Sequence, residues 1–449
     1  MNTRDERLVQ RLIAGTYFDP LTRLFNRRTF VEGVEVALAR LVPGQRAAVV
    51  HLDIDGFARF NQVLSMRVGD LVLVELAARL RAVVLPSDMV ARSGDDEFLA
   101  LLTEPPNGPP LEQRLARLAR ALQMPLQVER HELALSLSCG AAILPDHAHD
   151  AEALIARAGL ALDASQTAGG GALVLYDRAF ADQAQAALAL SQRLGRGGVE
   201  AELGLVFEPI VGCASGRVEA AEALVRWHPP GRRPVPPSTF IPLAEANGAI
   251  VAIGRCVLER ALAALAGWRR QGARELAVTV NVSARELQAP DFAASVEAAV
   301  ARHGLGLDAL VLELTETAAV ADVALARCAT DRLVAGGARL AIDDFGTGNA
   351  TLATLQDLPV SIIKIDRRFV ARAPTDRRSR QLVAASVAIA KSLDMRTVAE
   401  GIETPDQLAV VRDLGCDAAQ GFIFTRSLDV DAFTRRFVGA EVVPALADS

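Results

Sequence analysis

Two adjacent carboxylates, Asp343 and Asp344, end an apolar run of strand type and are followed at once by a glycine-rich turn over residues 345–348. Neighbouring side chains on a strand point to opposite faces, so both carboxylates can approach one site only where the strand ends. Two like charges that lie so near each other require a cation between them or a proton kept on one of them. The pattern therefore suggests a metal site, although taken alone it fits equally a capped strand followed by a polar turn.

The same arrangement recurs along the chain, where short β-branched runs carry a polar residue near their carboxyl ends. These residues are Glu222, Asn281, Glu313, Glu316, Lys364, Asp366, Glu400, Glu403 and Gln420. Amphipathic stretches rich in Ala and Leu lie between the runs and have helical periodicity. Strict alternation of strand and helix over roughly 240 residues predicts a TIM-type (β/α)8 barrel, in which polar groups collect at the carboxyl ends of the strands.

Composition and charge argue against several classes of protein. The chain has 449 residues and a formal net charge of −6, which disfavours a nucleic-acid partner. Its five cysteines are scattered, as expected of reduced thiols in a cytoplasmic protein, and its charged start and lack of long apolar runs predict neither a signal peptide nor a membrane span. Lysine occurs only at positions 364 and 391, so a lysine among carboxylates at 364 indicates a site where arginine would not serve.

The sequence divides into a short charged helix (1–18), an α+β unit with a mainly antiparallel sheet (19–177), a linker helix (178–200), the barrel (201–438) and a tail (439–449). In the first unit we expect the order β-α-α-β-β-α-β, with a hairpin whose turn contains Asp95 and Asp96. The short first segment leaves no room for a sensor domain ahead of this unit. A run of arginines at 367–380 is expected to be a solvated face, with a partner surface as the less favoured interpretation.

Together these motifs resemble the tandem GGDEF–EAL proteins of bacterial cyclic di-GMP signalling. The barrel matches the EAL phosphodiesterase pattern at E-A-L (222–224), N-V-S (281–283), E-L-T-E (313–316), D-D-F-G-T-G (343–348), K-I-D (364–366), A-E-G-I-E-T (399–404) and Q-G (420–421). The resemblance implies two Mg²⁺ or Mn²⁺ ions, held by oxygen donors of the kind that such hard cations prefer. The implied ligands are Glu222, Asn281, Glu313, Asp343, Asp344 and Glu400.

The resemblance also implies roles around the metal ligands. Cyclic di-GMP would be hydrolysed to the linear dinucleotide pGpG, with Lys364 orienting or activating the attacking water and Glu222 and Glu400 serving in catalysis as well as in metal binding. Glu403 and Gln420 would support the site, Arg226 would face a substrate phosphate, and a homodimer through the barrel is expected. Two positions depart from the family: Glu208 replaces a glutamine on the guanine side, and Asn349-Ala350-Thr351 replaces Tyr-Ser-Ser.

The first unit resembles the GGDEF diguanylate cyclases less closely. Asp53 and Asp96, which correspond to metal-binding acids, and Asn61 and Asp70, which correspond to guanine readers, are present. The signature turn reads Gly-Asp-Asp-Glu-Phe, so Asp95 adds a side chain and a negative charge where the family has glycine. Phosphate-binding Lys and Arg are replaced by Gln166 and Gly170, and the arginine of the product-inhibition motif ending at Asp88 is absent. These changes predict an inactive cyclase that could still bind GTP and regulate the barrel.

Alternatives remain at the level of sequence. The barrel could be a receptor that binds cyclic di-GMP without cutting it, or the protein could be a bifunctional cyclase and phosphodiesterase. Asp53 and Asp55 could simply end a strand, and Glu222 could pair with Arg226. Asp366 and Glu316 are expected to hold metal ligands rather than to be ligands, and His51 is expected to lie in the core.

Overall fold

A computed structural model describes residues 17–42, 44–128, 131–315, 323–346 and 357–439 of the chain. The chain divides into two compact units, Met1–Ala186 and Ala187–Ser449, and each is described by itself. The predicted helix at 1–18 and the predicted tail at 439–449 fall almost entirely outside the described residues.

The first unit contains eight strands and six helices among its described residues, the sixth helix running on into the second unit. The strands are β1 (Phe25–Asn26), β2 (Ala47–Ile54), β3 (Met89–Arg92), β4 (Glu97–Thr103), β5 (Leu126–Val128), β6 (His131–Leu133), β7 (Leu137–Leu144) and β8 (Leu173–Leu175). The helices are α1 (Arg27–Ala39), α2 (Phe57–Leu64), α3 (Met66–Val83), α4 (Leu111–Gln123), α5 (Ala151–Thr167) and α6 (Arg178–Gly195).

Six of these strands form one sheet in the order β1-β3-β4-β2-β7-β8. β2 and β4 are central and buried on both faces because their runs of Val, Leu and Ala are apolar almost throughout. The predicted hairpin is confirmed as the antiparallel pair β3–β4, and the strand at 173–175 lies at the sheet edge, parallel to β7. The predicted order of elements lacked β1 and the separate two-stranded sheet β5–β6, whose strands are only two or three residues long.

The second unit is built on a closed eight-stranded barrel. Its strands are β9 (Leu203–Gly212), β10 (Val218–Trp227), β11 (Ala277–Val282), β12 (Leu310–Thr315), β13 (Arg339–Phe345), β14 (Ile362–Ile365), β15 (Arg396–Ala399) and β16 (Ala418–Ala419). Its helices are α7 (Pro237–Asn247), α8 (Ile250–Arg270), α9 (Ala284–Leu287), α10 (Phe292–Arg302), α11 (Val323–Ala335), α12 (Arg367–Arg372), α13 (Arg377–Ser392), α14 (Pro405–Asp413) and α15 (Val430–Phe437).

The barrel departs from strict strand–helix alternation at its first strand. β9 and β10 are joined by the short turn at 213–217 and pair antiparallel, and β9 is also antiparallel to β16, whereas all other neighbours are parallel. The prediction of alternation throughout was therefore wrong at this point, because the turn residues around Gly216 connect the strands directly. The TIM-type barrel itself is confirmed.

Side chains alternate between the two surfaces of the barrel wall. Those pointing outward, such as Val278, Leu312 and Ile363, join the helices in one large apolar core. Those pointing inward include one apolar residue from each of the eight strands: Ile210, Ala220, Ala277, Val311, Ala341, Ile362, Val398 and Ala418. This inner ring closes the barrel beneath the polar ends of the strands.

The linker helix is shorter than predicted. α6 ends at Gly195, and after Gly197 and Gly198, both with positive φ, a 3₁₀ turn covers Val199–Glu202. Within the second unit, Leu190 and Leu194 of α6 pack into the barrel core. The predicted linker helix over 178–200 is present but ends five residues early, because paired glycines in left-handed conformation end a helix.

The cysteines are all unpaired: Cys139, Cys213 and Cys416 are buried, Cys256 is half-buried and Cys328 is exposed. Every helix in the described ranges is too short or too polar to cross a lipid bilayer.

Candidate active site

The polar site is a second ring, displaced by two residues along each strand from the inner apolar ring. Because side chains on a strand repeat every two residues, a step of two keeps the next side chain inside the barrel. The eight positions reached in this way are Glu208, Glu222, Thr279, Glu313, Asp343, Lys364, Glu400 and Gln420. β9 runs the other way, so Glu208 precedes its apolar partner Ile210, and Glu208 lies opposite Glu222 in the β9–β10 ladder.

Lys364 is the centre of the ring. Its side chain is 1% exposed, and Nζ lies 2.7 Å from Glu400 Oε1, 2.9 Å from Glu313 Oε2, 3.3 Å from Asp343 Oδ1 and 3.6 Å from Glu222 Oε2. Coulomb attraction at these distances in a buried site is strong enough to hold four carboxylates in one place. The ammonium group therefore links four of the strand ends.

A bulge places the adjacent acids together. Ile342 pairs with Ile363 and Phe345 with Ile365, so β13 has one more residue than β14 between the two pairs. Asp344 takes a left-handed conformation with φ +56°, and its N–H donates to Asp343 Oδ1 at 3.1 Å. A β-bulge re-aims side chains in this way. As a result, carboxylate oxygens of Asp343, Asp344 and Glu400 all lie within 4.8 Å of one another.

Two amide side chains hold the carboxylate of Glu222. Asn281 Nδ2 donates to Glu222 Oε1 at 3.0 Å, and Gln420 Nε2 donates to Glu222 Oε2 at 2.5 Å. Gln420 can reach this position because Gly421 follows it, where an added Cβ would lie 2.3 Å from the backbone N and O of Ile402. The alternative pairing of Glu222 with Arg226 is wrong, since Glu222 is engaged by these amides and Lys364.

Arg226 and Glu208 are connected by hydrogen bonds through Ser427, a residue that the sequence patterns did not indicate. Ser427 Oγ donates to Glu208 Oε1 at 2.6 Å and accepts from Arg226 Nη2 at 3.3 Å. The other oxygen of Glu208 accepts from Gln420 Nε2 at 3.3 Å. These side chains form one hydrogen-bonded chain from Arg226 to Glu222.

The charges of the cluster shift its pKa values. Burial, only partly offset by Lys364, raises the pKa of Glu400 to about 8, and burial raises that of Glu313 well above its usual range despite the lysine. Burial and the neighbouring Asp343 and Asp366 raise the pKa of Asp344 to about 6. Burial opposes the charge on Lys364, but the surrounding carboxylates outweigh it and raise its pKa, so the lysine stays protonated.

Not every predicted site residue joins the ring. Glu403 is exposed and lines a separate groove with Gly346 and Arg372, while its backbone N–H donates to Gln407 Oε1. Asp366 caps α12 by accepting from the N–H and Nε of Arg368, and a side-chain hydrogen bond also joins it to Asp344. The predictions for Glu316 and for Asn349-Ala350-Thr351 fall outside the described residues.

Thr279 is a ring position that the sequence analysis missed. Its side chain is 1% exposed, and its Oγ1 has no hydrogen-bond partner in the described part of the chain. A threonine inside a β-branched run gives no polar signal in the sequence because threonine favours strands for its own conformational reasons. Ser427 gave no signal either, because it lies in a loop rather than at a strand end.

In the first unit, the residues that correspond to the cyclase site are engaged with one another. Gln166 Nε2 donates to Asp53 Oδ1 at 2.8 Å, and burial together with Asp96 raises the pKa of Asp53 to about 6. Asp55 accepts from Ser138 Oγ and from the N–H of Gly171. Gly170 has φ +77°, and a Cβ there would lie 2.7 Å from Asp55 Oδ2.

The other residues predicted to be of interest in the first unit differ in their exposure and in their hydrogen-bond partners. Asp88 is fully buried as a side chain and is paired with Arg114. Asn61 is half-buried with its Oδ1 unpartnered among the described residues, and Asp70 is exposed. His51 lies mainly in the core, with Nε2 3.3 Å from Glu97 Oε2. Asp88 is therefore a structural residue here.

The eight-stranded barrel with an acidic ring around one lysine belongs to a known class. Residues 189–427 match the model of the EAL domain, and residues 16–172 match the diguanylate cyclase GGDEF domain. The chain thus belongs to the EAL family and carries both domains in tandem, as the sequence motifs predicted.

Similar proteins come from several bacteria. The chain is 34% identical to the bifunctional diguanylate cyclase/cyclic di-GMP phosphodiesterase MucR of Pseudomonas aeruginosa over 94% of this chain and 61% of MucR. It is 36% identical to the cyclic di-GMP phosphodiesterase NbdA of the same species, over 92% of this chain and 53% of NbdA. The chain thus spans about half to three-fifths of the length of these relatives.

Among solved structures, the PaMucR phosphodiesterase in its c-di-GMP complex is 35% identical, with a TM-score of 0.52, over 55% of this chain and 99% of that chain. LapD of Vibrio cholerae, an S helix–GGDEF–EAL chain bound to c-di-GMP, shares the fold at 18% identity and a TM-score of 0.63, over 93% of this chain and 98% of that chain.

Proposed function

We propose that the barrel hydrolyses cyclic di-GMP to pGpG with two divalent cations. The observation that carries this proposal is the bulge at Asp343 and Asp344, which gathers both acids with Glu400 beside Lys364. A barrel that only bound the nucleotide would not need to gather four carboxylates around one buried lysine, because burying charge is unfavourable unless it is used or compensated.

The residues of the ring fit a pair of cations. Five of the six predicted ligands are carboxylates, and Lys364 offsets only one of their charges, so two divalent cations would balance the remaining four. Burial is the main cause of the raised pKa values of Glu400 and Asp344, and the neighbouring carboxylates add to it. All donors are oxygens, which suit Mg²⁺ or Mn²⁺. Glu222, Asn281, Glu313, Asp343, Asp344 and Glu400 would hold the ions.

Bound there, the two cations would supply the Lewis acidity that lowers the pKa of water and withdraws charge from the phosphodiester. Lys364 stays protonated and has its hydrogens directed to carboxylates, so it orients the ligands and does not accept a proton. Arg226 lies at the rim, where its guanidinium can bind a substrate phosphate. A cavity of about 250 Å³ beside Arg226 and Asn281, lined mainly by apolar side chains, offers room for a base.

Chromatography of cyclic di-GMP incubated with the protein and Mn²⁺ tests the proposal. We expect pGpG from the natural protein and none from Glu222→Ala. Glu219→Ala is the matched control, because Glu219 lies on the same strand but pairs with Arg396 away from the ring. Binding of cyclic di-GMP with no product would contradict hydrolysis and support a receptor.

We propose further that the first unit does not make cyclic di-GMP. The hydrogen bond from Gln166 to Asp53 occupies an acid that a metal would need, and a Cβ added at Gly170 would lie 2.7 Å from Asp55 Oδ2, so an arginine there would have to displace that carboxylate. Asp95 adds negative charge where a triphosphate would lie. Developing charge on the phosphates would therefore go uncompensated.

GTP binding without catalysis is the remaining role for this unit. The exposed Asp70 can accept hydrogen bonds from a guanine base, whereas the Oδ1 of Asn61 is buried beside Gly69 and would have to be uncovered to do so. We expect millimolar GTP to change the rate of cyclic di-GMP hydrolysis while yielding no cyclic product. An unchanged rate would remove the regulatory part of the proposal, and any cyclic product from GTP would show an active cyclase.

A further inference from the structure

Gln420 is held in one orientation by two acceptors and leaves its own carbonyl oxygen unsatisfied. The side chain is 5% exposed, and Nε2 donates both to Glu222 Oε2 and to Glu208 Oε2. Oε1 is buried and has no partner among the described residues. A buried unpaired carbonyl is unfavourable, so the orientation must be imposed by its neighbours.

Glu208 imposes it together with Glu222, because a carboxylate can only accept hydrogen bonds. If the amide of Gln420 turned over, Oε1 would face two carboxylates, and both contacts would become repulsive. A glutamine at position 208 would weaken this constraint, since its own NH₂ group could donate to Oε1 of Gln420 and only Glu222 would then oppose the turned amide. The acid at 208 therefore adds a second repulsive contact to the one that Glu222 already gives the turned amide.

Ser427 fixes Glu208 in turn. Its hydroxyl donates to Glu208 Oε1 at 2.6 Å, which leaves the other carboxylate oxygen directed to Gln420. The same hydroxyl accepts from Arg226, so one oxygen atom connects the predicted phosphate-binding arginine to the acid.

We propose that Glu208 and Ser427 are positioning residues that orient Gln420 and, through it, the metal ligand Glu222. Neither residue needs to touch the reacting phosphate for this role. The inference rests on the proposed hydrolysis, because it assigns the pair a part in that reaction. Partners behind metal ligands typically change metal affinity or activity by about 10- to 100-fold when removed.

The test is Glu208→Gln, followed in three ways. Where the amide turns, Glu222 loses its donor, so we expect kcat to fall by up to about tenfold and Mn²⁺ to bind more weakly, with KM changed less. We expect the urea midpoint without metal to rise, because Oε1 gains a donor and the Glu208–Glu222 repulsion is removed. A purely structural role would move stability and activity in the same direction.

Ser427→Ala should lower kcat by a smaller factor, and Ser361→Ala, whose hydroxyl lies near Leu340 O at the amino end of the strands, should leave it unchanged. Unchanged kcat and unchanged Mn²⁺ affinity in Glu208→Gln would overturn the inference while hydrolysis by the natural protein stands. If the natural protein fails to hydrolyse cyclic di-GMP, the Mn²⁺ and urea measurements still decide whether Glu208 orients the amide.

Discussion

Lys364→Met should convert the ring from a compensated cluster into a repulsive one. The substitution keeps the length of the side chain and removes its charge, which leaves the carboxylates of Glu222, Glu313, Asp343 and Glu400 without their shared partner. Removing one member of a buried ion pair costs about 3–5 kcal/mol. We expect a loss of that size in the free energy of unfolding at pH 8 with EDTA present.

The loss should depend on pH and on metal. Glu313 and Glu400 have raised pKa values, so they take up protons as the pH falls, and the penalty of the variant should shrink between pH 8 and pH 5. Saturating Mn²⁺ should stabilise any variant that still binds it, by about 2.7 kcal/mol at a hundred times the dissociation constant.

Urea unfolding followed by tryptophan fluorescence measures this, because both tryptophans, Trp227 and Trp268, are buried in the barrel unit. Lys391→Met, which removes the chain's other lysine from the last turn of α13, is the control and should change the midpoint little. Equal stability of Lys364→Met and the natural protein at pH 8 in EDTA would refute the view that the lysine compensates the ring.

Three further changes test other parts of the structure. Burial raises the pKa of Glu286 to about 7 although the N–H of Ser283 donates to its carboxylate, so the fold favours the protonated acid. As the pH rises from 4.5 through 7, the natural protein should therefore lose up to about 3 kcal/mol of unfolding free energy relative to Glu286→Gln. Urea midpoints across that pH range measure the loss. Ser65 has φ +93°, and Ser65→Gly should raise the melting temperature of the first unit, equivalent to about 1 kcal/mol, in a thermal scan. Gly421→Ala should abolish hydrolysis and lower the barrel's urea midpoint, because its Cβ would overlap the backbone of Ile402; normal activity would contradict the close approach.

The sequence predicted most of the ring because its members follow apolar strands at a constant offset. Glu222, Glu313, Lys364 and Gln420 each lie two positions after an inward apolar residue, and a period of two is visible without a structure. The period could not show which inward residues belong to the polar ring when the residue type, such as threonine, is also common in strands. Thr279 occupies a ring position and was missed for that reason.

Backbone irregularities were also beyond the sequence. The strand ending at Asp343 and Asp344 was predicted correctly, but the route by which both acids reach one site is a left-handed residue inside a bulge, and an aspartate at that position gives no glycine signal. Contacts between distant segments were equally hidden. Ser427 and Glu208 are separated by 219 positions, and Glu403 follows Glu400 closely yet faces another groove.

The two units carry their departures from the family pattern in different ways. In the barrel, the ring side chains come from eight strands, and the acid at position 208 is engaged by the side chains of Ser427 and Gln420. In the first unit, the departure at Gly170 is a departure of the backbone itself, since its positive φ and its contact with Asp55 suit glycine and exclude a longer residue. A side chain introduced there would have to displace the carboxylate of Asp55, which accepts from the N–H of Gly171, so restoring a cation at this position would also require the loop to change.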